Sequence, residues 1–270
     1  MNPTDIQAFR DKIWDFYHDN ARDLPWRNDP TPYQVFISEV MLQQTQVARV
    51  LVKYPEWMAR FPTFESLAEA SVAQVIEAWQ GMGYNRRALW LQRAAQQIMG
   101  EFGGTLPRDP AALVALPGVG ANTAGSIAAF AYNAPVTFIE TNIRRVFIHE
   151  FFPEAEGEDA TINDKQLMPF IAAAVDHDSP RQWYYALMDY GSALAKTVPN
   201  PNRRSKHYAV QSKFEGSLRQ VRGEILRQLV AGPRAADGFD IADDRLAEVL
   251  RTMEREGFIS RHNGAYRLAG

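Results

Sequence analysis

The sequence predicts an all-α protein with a small C-terminal α+β module. Apolar residues recur at helical spacing through most of the chain, and no convincing alternation of polar and apolar residues occurs before residue 256. The stretch GFISRHNGAYRL near the C-terminus has the pattern of a two-stranded hairpin with its turn at 262–264. The 270 residues, 46% of them apolar, are enough for one large domain or two smaller ones.

The composition excludes several kinds of chemistry. The chain has no cysteine, which rules out disulfides, thiolate nucleophiles and cysteine-ligated zinc or iron–sulfur clusters. The five histidines are scattered without metal-ligand spacing, and no long apolar or signal-like segment is present. A net charge of −3 means that any surface for nucleic acid must be local. We therefore expect a soluble cytoplasmic protein that needs no metal and no membrane.

Helical periodicity, together with proline and glycine stops, places the helices along the chain. Ile6, Phe9 and Ile13 form the apolar face of a first helix. Thr31–Pro32 opens the next helix after a proline-rich loop. The predicted helices cover Ile6–His18, Val35–Leu51, Ser66–Gln80, Arg86–Met99, Asp109–Leu116, Asn122–Tyr132, Asn142–Phe151, Asp164–Val175 and Pro180–Lys196. The acidic segment Glu150–Asp159 is predicted to be a solvated loop.

A glycine hairpin, LPGVG at Leu116–Gly120, separates two of these helices. Glycine lets backbone N–H groups approach a ligand closely, and the N-terminus of the following helix adds positive potential. Such a hairpin suits a phosphate diester. A simple tight turn between packed helices is the alternative, and it is preferred for an isolated GxG. The motifs around the hairpin therefore decide its interpretation.

The segment Lys196–Arg234 is basic, with nine lysines and arginines against two acidic residues. It opens with a proline-rich linker, VPNPNRRSK. Helices are predicted over Arg219–Val230 and Asp244–Glu256, and the C-terminal hairpin follows them. Helix, helix and two-stranded ribbon is the order of a winged-helix module.

Five long motifs resemble those of one family of DNA repair enzymes. They are LPWRNDPTPYQVFISEVMLQQTQVARV, WQGMGYNRRALWLQRAAQQI, ALPGVGANTAGSIAAFAY, FIETNIRRVF and WYYALMDYGSALAKT. Over residues 5–200 the chain is similar to the MutY-type adenine DNA glycosylases of the helix-hairpin-helix (HhH-GPD) superfamily. The resemblance implies a glycosylase fold of two helical subdomains, one formed by residues 1–22 with 134–200 and the other by residues 23–133. Residues 201–270 would form the basic linker and the winged-helix-like module.

The resemblance also implies a function. Family members flip a mispaired or damaged base out of double-stranded DNA and hydrolyse its N-glycosidic bond in base excision repair. That reaction needs an acid for the departing base and a negative charge beside the sugar cation. The expected partner is a duplex with a mismatch or lesion. The expected protein is a monomer in the cytosol of a bacterium or archaeon, associated with the nucleoid.

Three residues match catalytic positions of the family. Glu39 matches the glutamate that protonates the base, and burial among its apolar neighbours would favour the protonated acid; an exposed helix carboxylate is the alternative. Glu140 falls where the family has an aspartate that stabilises the sugar cation, and it reaches about 1.5 Å further. Capping the following helix is the alternative for Glu140, and the two roles are compatible. Asn122 stands where bifunctional relatives have a lysine, so lyase activity is not expected.

Asn122 itself either lines the base pocket or caps the helix that it begins. Gln43 and Gln44 would fill the gap left by the flipped base, with a solvated helix face as the alternative. Asn85 stands where the family commonly has a wedge tyrosine. The predicted DNA contacts are Gln43, Gln44, Tyr84, Asn85, Pro117, Gly118, Val119, Gly120, Arg144, Arg203, Arg204 and Lys206.

Two departures from the family concern its cofactor and its C-terminal domain. Lys196 stands where the first cysteine of the family's iron–sulfur cluster would be, so we expect no cofactor, although the hairpin carbonyls together with DNA can hold a structural cation. The basic linker either takes over the phosphate contacts of the cluster loop or is simply solvated. The 70 residues after residue 200 do not resemble the family's 8-oxoguanine reader domain.

These departures leave alternatives open for the function. Adenine or another purine ranks first as the excised base, and a mispaired thymine, uracil or modified pyrimidine is the alternative. A third hypothesis is a non-catalytic DNA-binding protein on a glycosylase scaffold. The presence of carboxylates at both Glu39 and Glu140 argues against that third hypothesis, and an assay for abasic sites distinguishes the three.

Overall fold

A computed structural model describes residues 3–152 and 161–270. The α-helices in these ranges are α1 (Pro3–Asn20), α2 (Pro32–Leu42), α3 (Val47–Arg60), α4 (Phe64–Glu69), α5 (Val72–Ala78), α6 (Arg86–Glu101), α7 (Pro110–Val114), α8 (Ala121–Tyr132), α9 (Thr141–Phe151), α10 (Asp164–Ala174), α11 (Pro180–Thr197), α12 (Leu218–Val230) and α13 (Leu246–Glu256). Three strands, β1 (Arg234–Ala235), β2 (Ile259–His262) and β3 (Ala265–Leu268), form an antiparallel sheet in the order β1–β3–β2. The predicted all-α body with a small C-terminal α+β module is confirmed. The predicted acidic loop lies, from residue 153 onward, outside the described residues.

Most predicted helices are confirmed to within a few residues, but two are each broken in two. The helix predicted over Ser66–Gln80 is interrupted because Ser71 starts α5 with a capping box, in which Ser71 and Gln74 exchange side-chain and backbone hydrogen bonds. The helix predicted over Val35–Leu51 is interrupted by a turn at 43–46, where Gln44 adopts a φ of +54°.

The chain divides into two compact units. The first comprises Met1–Phe36, Arg108–Val114 and Val119–Val210, and the second comprises Ile37–Pro107, Ala115–Gly118 and Gln211–Gly270. In this division residues 23–36, 108–114 and 119–133, which the prediction grouped with the second subdomain, lie in the first unit. Residues 211–270, predicted to form part of a separate module, lie in the second unit.

The first unit has a core rich in aromatic residues, built mainly from α1, α8, α9, α10 and α11. The ring of Phe9 on α1 lies 5.2 Å from that of Phe147 and 5.9 Å from that of Trp183. Helices α9 and α11 approach so closely at Gly191 that a Cβ there would lie 2.7 Å from the carbonyl oxygen of Asn142. Only glycine therefore fits at position 191.

A buried carboxylate fastens the N-terminal segment of the first unit to α11. Asp189 is 3% exposed and accepts hydrogen bonds from the backbone N–H and the Nε of Arg22. It also accepts a bidentate pair from Arg27, with both N–O distances at 2.9 Å. The guanidinium of Arg27 lies over the ring of Tyr185, 4.4 Å from its centroid.

The second unit packs α3–α6 together with the C-terminal module. Trp57 meets both Phe61 and Trp79 edge-on, at centroid distances of 5.0 and 5.4 Å. Helix α12 of the module packs against both α13 and α5. The predicted hairpin is confirmed, because β2 pairs with β3 across a turn in which Asn263 and Gly264 both have positive φ. Strand β1 has only two residues, too few to show any periodicity.

None of the helices in the described ranges combines the length and the apolar character that a bilayer crossing requires.

Candidate active site and nucleic-acid interface

Glu39 lies on α2, a strongly apolar helix. Its neighbours Val35, Phe36, Val40 and Met41 are each at most 1% exposed, whereas Glu39 itself is half-buried. Helix α2 is therefore held in the core by its apolar residues, and the side chain of Glu39, one of its few polar residues, remains partly accessible to solvent. This arrangement agrees with the partial burial that the sequence predicts for Glu39.

The end of α2 is held by Arg87, a residue that the sequence analysis did not single out. Arg87 is 3% exposed, and its Nη1 donates to the carbonyl oxygens of Val40, Met41 and Gln43 at 3.0, 2.9 and 2.7 Å. Val40 and Met41 lie in the last turn of α2, where carbonyls have no regular partner within the helix, and Gln43 follows it. The carbonyl of Val40 also accepts the backbone N–H of Gln43 at 3.3 Å. A cation also interacts favourably with the negative end of the helix dipole. Arg87 is thus a C-terminal cap for α2.

The same guanidinium reaches the neighbouring loop. Its Nη2 donates to Thr45 Oγ1 at 2.9 Å and to the carbonyl oxygen of Gly83 at 3.1 Å. Burial lowers the pKa of Arg87 to about 10, so the side chain remains cationic at neutral pH. Arg87 therefore joins the 43–46 turn to the loop at 81–85, although the two segments are separated by α3, α4 and α5.

The two glutamines of the turn are placed differently. Gln43 is half-buried and its Nε2 donates to the carbonyl oxygen of Gly118 in the glycine hairpin at 3.2 Å. Gln44 is exposed and adopts a left-handed backbone conformation. Gln43 thus fastens the hairpin, and Gln44 presents the more accessible amide.

The glycine hairpin connects α7 to α8. Gly118 has a φ of +79°, and a Cβ at this position would lie 2.9 Å from Cε3 of Trp90. Both observations require glycine at position 118. Gly120 is the N-cap of α8 and is exposed, and it has no side chain that could accept the first N–H groups of the helix. Pro117 is half-buried, and Val119, 6% exposed, anchors the hairpin.

Glu140 is the N-cap of α9, as the structural alternative for this residue predicts. Its Oε1 accepts hydrogen bonds from the backbone N–H groups of Asn142 and Ile143 at 2.7 and 2.9 Å. Its Oε2 accepts one from Nδ2 of Asn142 at 3.3 Å. Glutamate is longer than the usual N-cap residues. Here its side chain folds back so that its carboxylate accepts the first backbone N–H groups of α9, as a shorter aspartate would.

Opposing influences act on the pKa of Glu140. Desolvation raises the pKa above its ordinary value of 4.5, and it is the largest influence. The two backbone N–H groups and the guanidinium of Arg145 act in the opposite direction because they favour the carboxylate. All the groups bonded to Glu140 are donors, so the geometry is that of an ionised acceptor.

A polar network holds Glu140 and its helix in place. Arg145, 9% exposed, donates from Nη1 to Oδ1 of Asn142 at 2.7 Å and to the carbonyl oxygen of Gly191 at 2.8 Å. Asn122 is exposed at the start of α8, and its Oδ1 accepts a hydrogen bond from the backbone N–H of Ile139 at 3.3 Å. Asn122 is therefore not the N-cap of α8; it contacts the segment that leads into Glu140.

The segment after α11 does not fit a cysteine-ligated cluster, because the chain contains no cysteine. Backbone and amide hydrogen bonds fasten it instead. Nδ2 of Asn202 donates to the carbonyl oxygen of Thr141 at 3.0 Å, and Ile162 and Ser205 form a parallel bridge. Among the described residues, no group of three or more His, Cys, Asp or Glu side chains is placed to hold a metal ion.

The basic residues predicted to contact DNA fall into two groups. Arg144 forms a bidentate ion pair with Asp164, with both N–O distances at 2.8 Å. A hydrogen bond joins Arg204 to the carbonyl oxygen of Phe152. Arg203 and Lys206 are exposed. The structure therefore places Arg144 and Arg204 in contacts within the protein and leaves Arg203 and Lys206 accessible to a ligand.

Tyr84 and Asn85 lie in the glycine loop before α6. Tyr84 is half-buried and has a φ of +47°, which is unusual for a residue other than glycine. Asn85 is half-buried and is the N-cap of α6, although its side chain makes no capping hydrogen bond. The second unit thus contains Glu39, Gln43, Gln44, Tyr84 and Gly118; the first unit contains Asn122, Glu140 and the basic linker.

Comparisons with known proteins identify the family of the chain. Residues 37–168 match the family described as HhH-GPD superfamily base excision DNA repair protein. The adenine DNA glycosylase of Mycobacterium tuberculosis is 34% identical over 239 residues, which cover 80% of this chain and 76% of that protein. The mouse adenine DNA glycosylase is 37% identical over 233 residues, 82% of this chain. The chain belongs to the HhH-GPD superfamily and, within it, to the adenine DNA glycosylase family.

The match spans less than half the length of the mammalian relatives, 44% in the mouse protein. Among solved structures, a thermostable thymine-DNA glycosylase superposes with a TM-score of 0.64 at 22% identity, covering 75% of this chain and 93% of that one. A trapped endonuclease III–DNA covalent intermediate superposes with a TM-score of 0.60 at 18% identity, covering 72% and 87%. At these identities the two structures show that the fold is shared.

Proposed function

We propose that the protein is a monofunctional DNA glycosylase that removes a mispaired or damaged base from duplex DNA, with adenine as the favoured base. The observation that carries this proposal is the carboxylate of Glu140, which is held by donors only at a position where the family has its aspartate. The names of the relatives support adenine as the base.

The proposed reaction breaks the bond between the sugar and the base and adds water to the sugar. Glu39 donates a proton to the base, which makes it a better leaving group. The carboxylate of Glu140 stabilises the positive charge that develops on the sugar. Asn122 and Arg145 act on Glu140 indirectly, because they contact the segments on either side of it.

The DNA backbone would be held by the hairpin and by exposed basic residues. The N–H groups that begin α8 suit a phosphate oxygen, because the N-cap Gly120 offers them no side-chain acceptor. Arg203 and Lys206 form no ion pair with another described residue, so their positive charge can meet a phosphate without an existing ion pair being broken first. Gln44 is the amide best placed to enter the base stack, because Gln43 already contacts Gly118.

A panel of duplexes tests the base assignment. The purified protein is incubated with duplexes that carry adenine opposite 8-oxoguanine, guanine or cytosine, and with duplexes that carry thymine or uracil opposite guanine. Alkali then cleaves the strand at every abasic site. The proposal predicts cleavage of the adenine strand; cleavage only at thymine or uracil would assign the pyrimidine alternative. Tight duplex binding without any cleavage would support the non-catalytic alternative.

The same proposal includes several narrower expectations. Because Asn122 replaces a lysine, borohydride should trap no covalent adduct between the protein and an abasic site. We also propose a monomer that acts in the bacterial or archaeal cytosol on duplexes with a mismatch or lesion; bacterial proteins are among the relatives. Sedimentation of the protein with and without duplex tests the expected 1:1 complex.

A further inference from the structure

The second unit contains a groove of about 1450 Å³, which we call the C-terminal groove. One wall consists of the 43–46 turn and the loop at 81–85, which belong to the glycosylase part of the chain. The opposite wall consists of residues between Gln211 and Asp243, which include much of α12. Helix α12 packs on α5, so the module and the glycosylase part are in direct contact within this unit.

The lining of the C-terminal groove is positively charged although the whole chain has a net charge of −3. Six arginines line it: Arg49, Arg86, Arg87, Arg219, Arg222 and Arg227. The acidic residues of the lining are three: Glu224, Asp240 and Asp243. Some of the arginines already have acidic partners, since Arg86 and Arg222 both pair with Glu256.

Arg219 has no such partner in the part of the chain that the structure describes. Its Nη1 donates to the hydroxyl oxygen of Tyr84 at 2.8 Å, and its Nη2 donates to the carbonyl oxygen of Ser212 at 2.6 Å and to Oγ of Ser212 at 3.1 Å. These acceptors are neutral, so the charge of Arg219 is not cancelled by a carboxylate. Arg49, on the opposite wall, is exposed.

The C-terminal module also holds the conformation of the Tyr84 loop. The guanidinium groups of Arg87 and Arg219 both lie over the ring of Tyr84, with Cζ-to-centroid distances of 5.6 and 5.3 Å. The hydroxyl of Tyr84 accepts a second hydrogen bond, from Gln211. These contacts stabilise a residue whose left-handed backbone would otherwise be unfavourable.

Two further lining residues have side chains suited to bases. Phe214, on the wall formed by the module, is 58% exposed, which is high for a large aromatic side chain. Gln44, on the opposite wall, is exposed as well. Grooves that combine arginine with accessible aromatic side chains are typical of proteins that bind nucleic acid strands, because arginine meets phosphates and the aromatic ring stacks on bases.

We propose that the C-terminal groove binds one strand of the duplex DNA substrate, so that the C-terminal module is part of the DNA-binding surface. Arg49 and Arg219 contact phosphates from opposite walls, and Phe214 contacts a base or sugar. The inference rests on the proposed function, since a glycosylase must hold DNA on both sides of the nucleotide that it flips. Arg219 has a second role as a positioning residue for Tyr84.

Binding to an undamaged duplex, measured by fluorescence anisotropy at several salt concentrations, tests the proposal without requiring excision. Arg219→Ala should weaken binding roughly 10-fold at low salt and lower the slope of log Kd against log salt by about 0.9, the value for one lost phosphate contact. Phe214→Ala should weaken binding by about 5-fold or more without changing the slope, because stacking is not a charge interaction.

Arg251→Ala is the matched control, because Arg251 lies exposed on α13 and outside the lining of the groove. It should leave both affinity and slope close to those of the wild type. Tyr84→Phe separates the two roles of Arg219: it removes the hydroxyl acceptor but keeps the cation, so the salt slope should stay at the wild-type value. Phe214 is exposed, so its substitution tests the groove even if Arg219→Ala disturbs the fold.

The proposal is supported if both Arg219→Ala and Phe214→Ala bind more weakly than Arg251→Ala, and it is overturned if either binds as tightly as that control. Failure of the proposed function would give a different combination of excision and binding results. A protein that removes no base but shows the expected binding pattern would contradict the glycosylase assignment and retain the groove. A protein that removes adenine, and whose Arg219→Ala and Phe214→Ala variants bind like the control, would contradict the groove alone.

Discussion

Replacement of Arg87 by methionine should destabilise the second unit by about 2–4 kcal/mol. Methionine keeps an unbranched apolar stem but donates no hydrogen bond. The carbonyl of Met41 belongs to a residue that is 1% exposed, so it cannot readily turn to water, whereas the carbonyl of Val40 keeps the backbone N–H of Gln43 as a donor at 3.3 Å. Each buried acceptor left without a partner costs about 1–3 kcal/mol. Met82, whose carbonyl oxygen accepts from Nη2 at 3.4 Å, is also 1% exposed. The acceptors of Gln43, Thr45 and Gly83 belong to half-buried residues and add less, and removal of a buried cation offsets part of the total.

The neighbouring Arg86 offers a matched control. Its side chain is 53% exposed and pairs with Glu256 at the surface, so Arg86→Met should cost less than about 1 kcal/mol. Thermal unfolding followed by circular dichroism compares the two variants. Arg87→Met should lower the midpoint by roughly 5–10 °C and Arg86→Met by much less. Equal midpoints would refute the assignment of Arg87 as the cap of α2, and protease cleavage within the 43–46 turn should rise only in Arg87→Met.

Three other substitutions test separate parts of the account. Arg145→Gln removes a cation that lowers the pKa of Glu140, so the acid limb of the pH–rate profile should move to higher pH; an unmoved limb would exclude this influence. Asp189→Asn leaves two arginines without their buried anion and should cost about 3 kcal/mol in urea unfolding; a change below 1 kcal/mol would contradict the ion-pair role. Gly118→Ala forces alanine into a positive φ and into contact with Trp90, so it should lower stability by about 1–3 kcal/mol and also weaken the affinity for duplex DNA. Unchanged affinity would show that the hairpin is not part of the DNA interface.

Local sequence signals were sufficient for most helices. The proline at the start of α2 and the glycines after α5 mark helix ends by backbone geometry alone, and α6, α8, α9, α10 and α11 follow their periodicity. The break between α4 and α5 also had a local signal, the capping pattern S-x-x-Q at 71–74, which the periodicity concealed. The two-residue strand β1 had none, because it exists only through its pairing with β3.

The break between α2 and α3 had no comparable local cause. It depends on Arg87, whose acceptors in α2 and the 43–46 turn lie more than 40 positions earlier in the chain. The same limit applies to the candidate site. Glu140 could be recognised from its motif, and its capping role from its place before a helix, but the contacts of Arg145 with Gly191 depend on the packing of α9 against α11. Gln43 was expected to meet DNA, and only the fold brings it to Gly118.

The family motifs pointed to Glu39 and Glu140 as the candidate catalytic carboxylates, and the composition excluded a cysteine-ligated cluster. What replaces that cluster was not readable from the sequence. The linker after α11 was expected either to contact phosphates or to be a solvated basic segment. Pro201 and Asn202 within it are buried, and Asn202 bonds to the residue next to Glu140. Asn, Pro and Ser side chains carry no strong signal for burial, so tertiary contacts alone reveal this fastening.

The rate of adenine release under single-turnover conditions is the most direct test of the account. The measurement compares wild type, Glu39→Gln, Glu140→Gln and Glu140→Asp on a duplex with adenine opposite 8-oxoguanine, together with the Kd of each. We expect both glutamine variants to lose at least about 100-fold in rate at nearly unchanged Kd. Glu140→Asp should retain most of the activity, because aspartate keeps the charge and is a favoured N-cap. Wild-type rates in either glutamine variant would contradict the assignment of the two carboxylates as the catalytic pair.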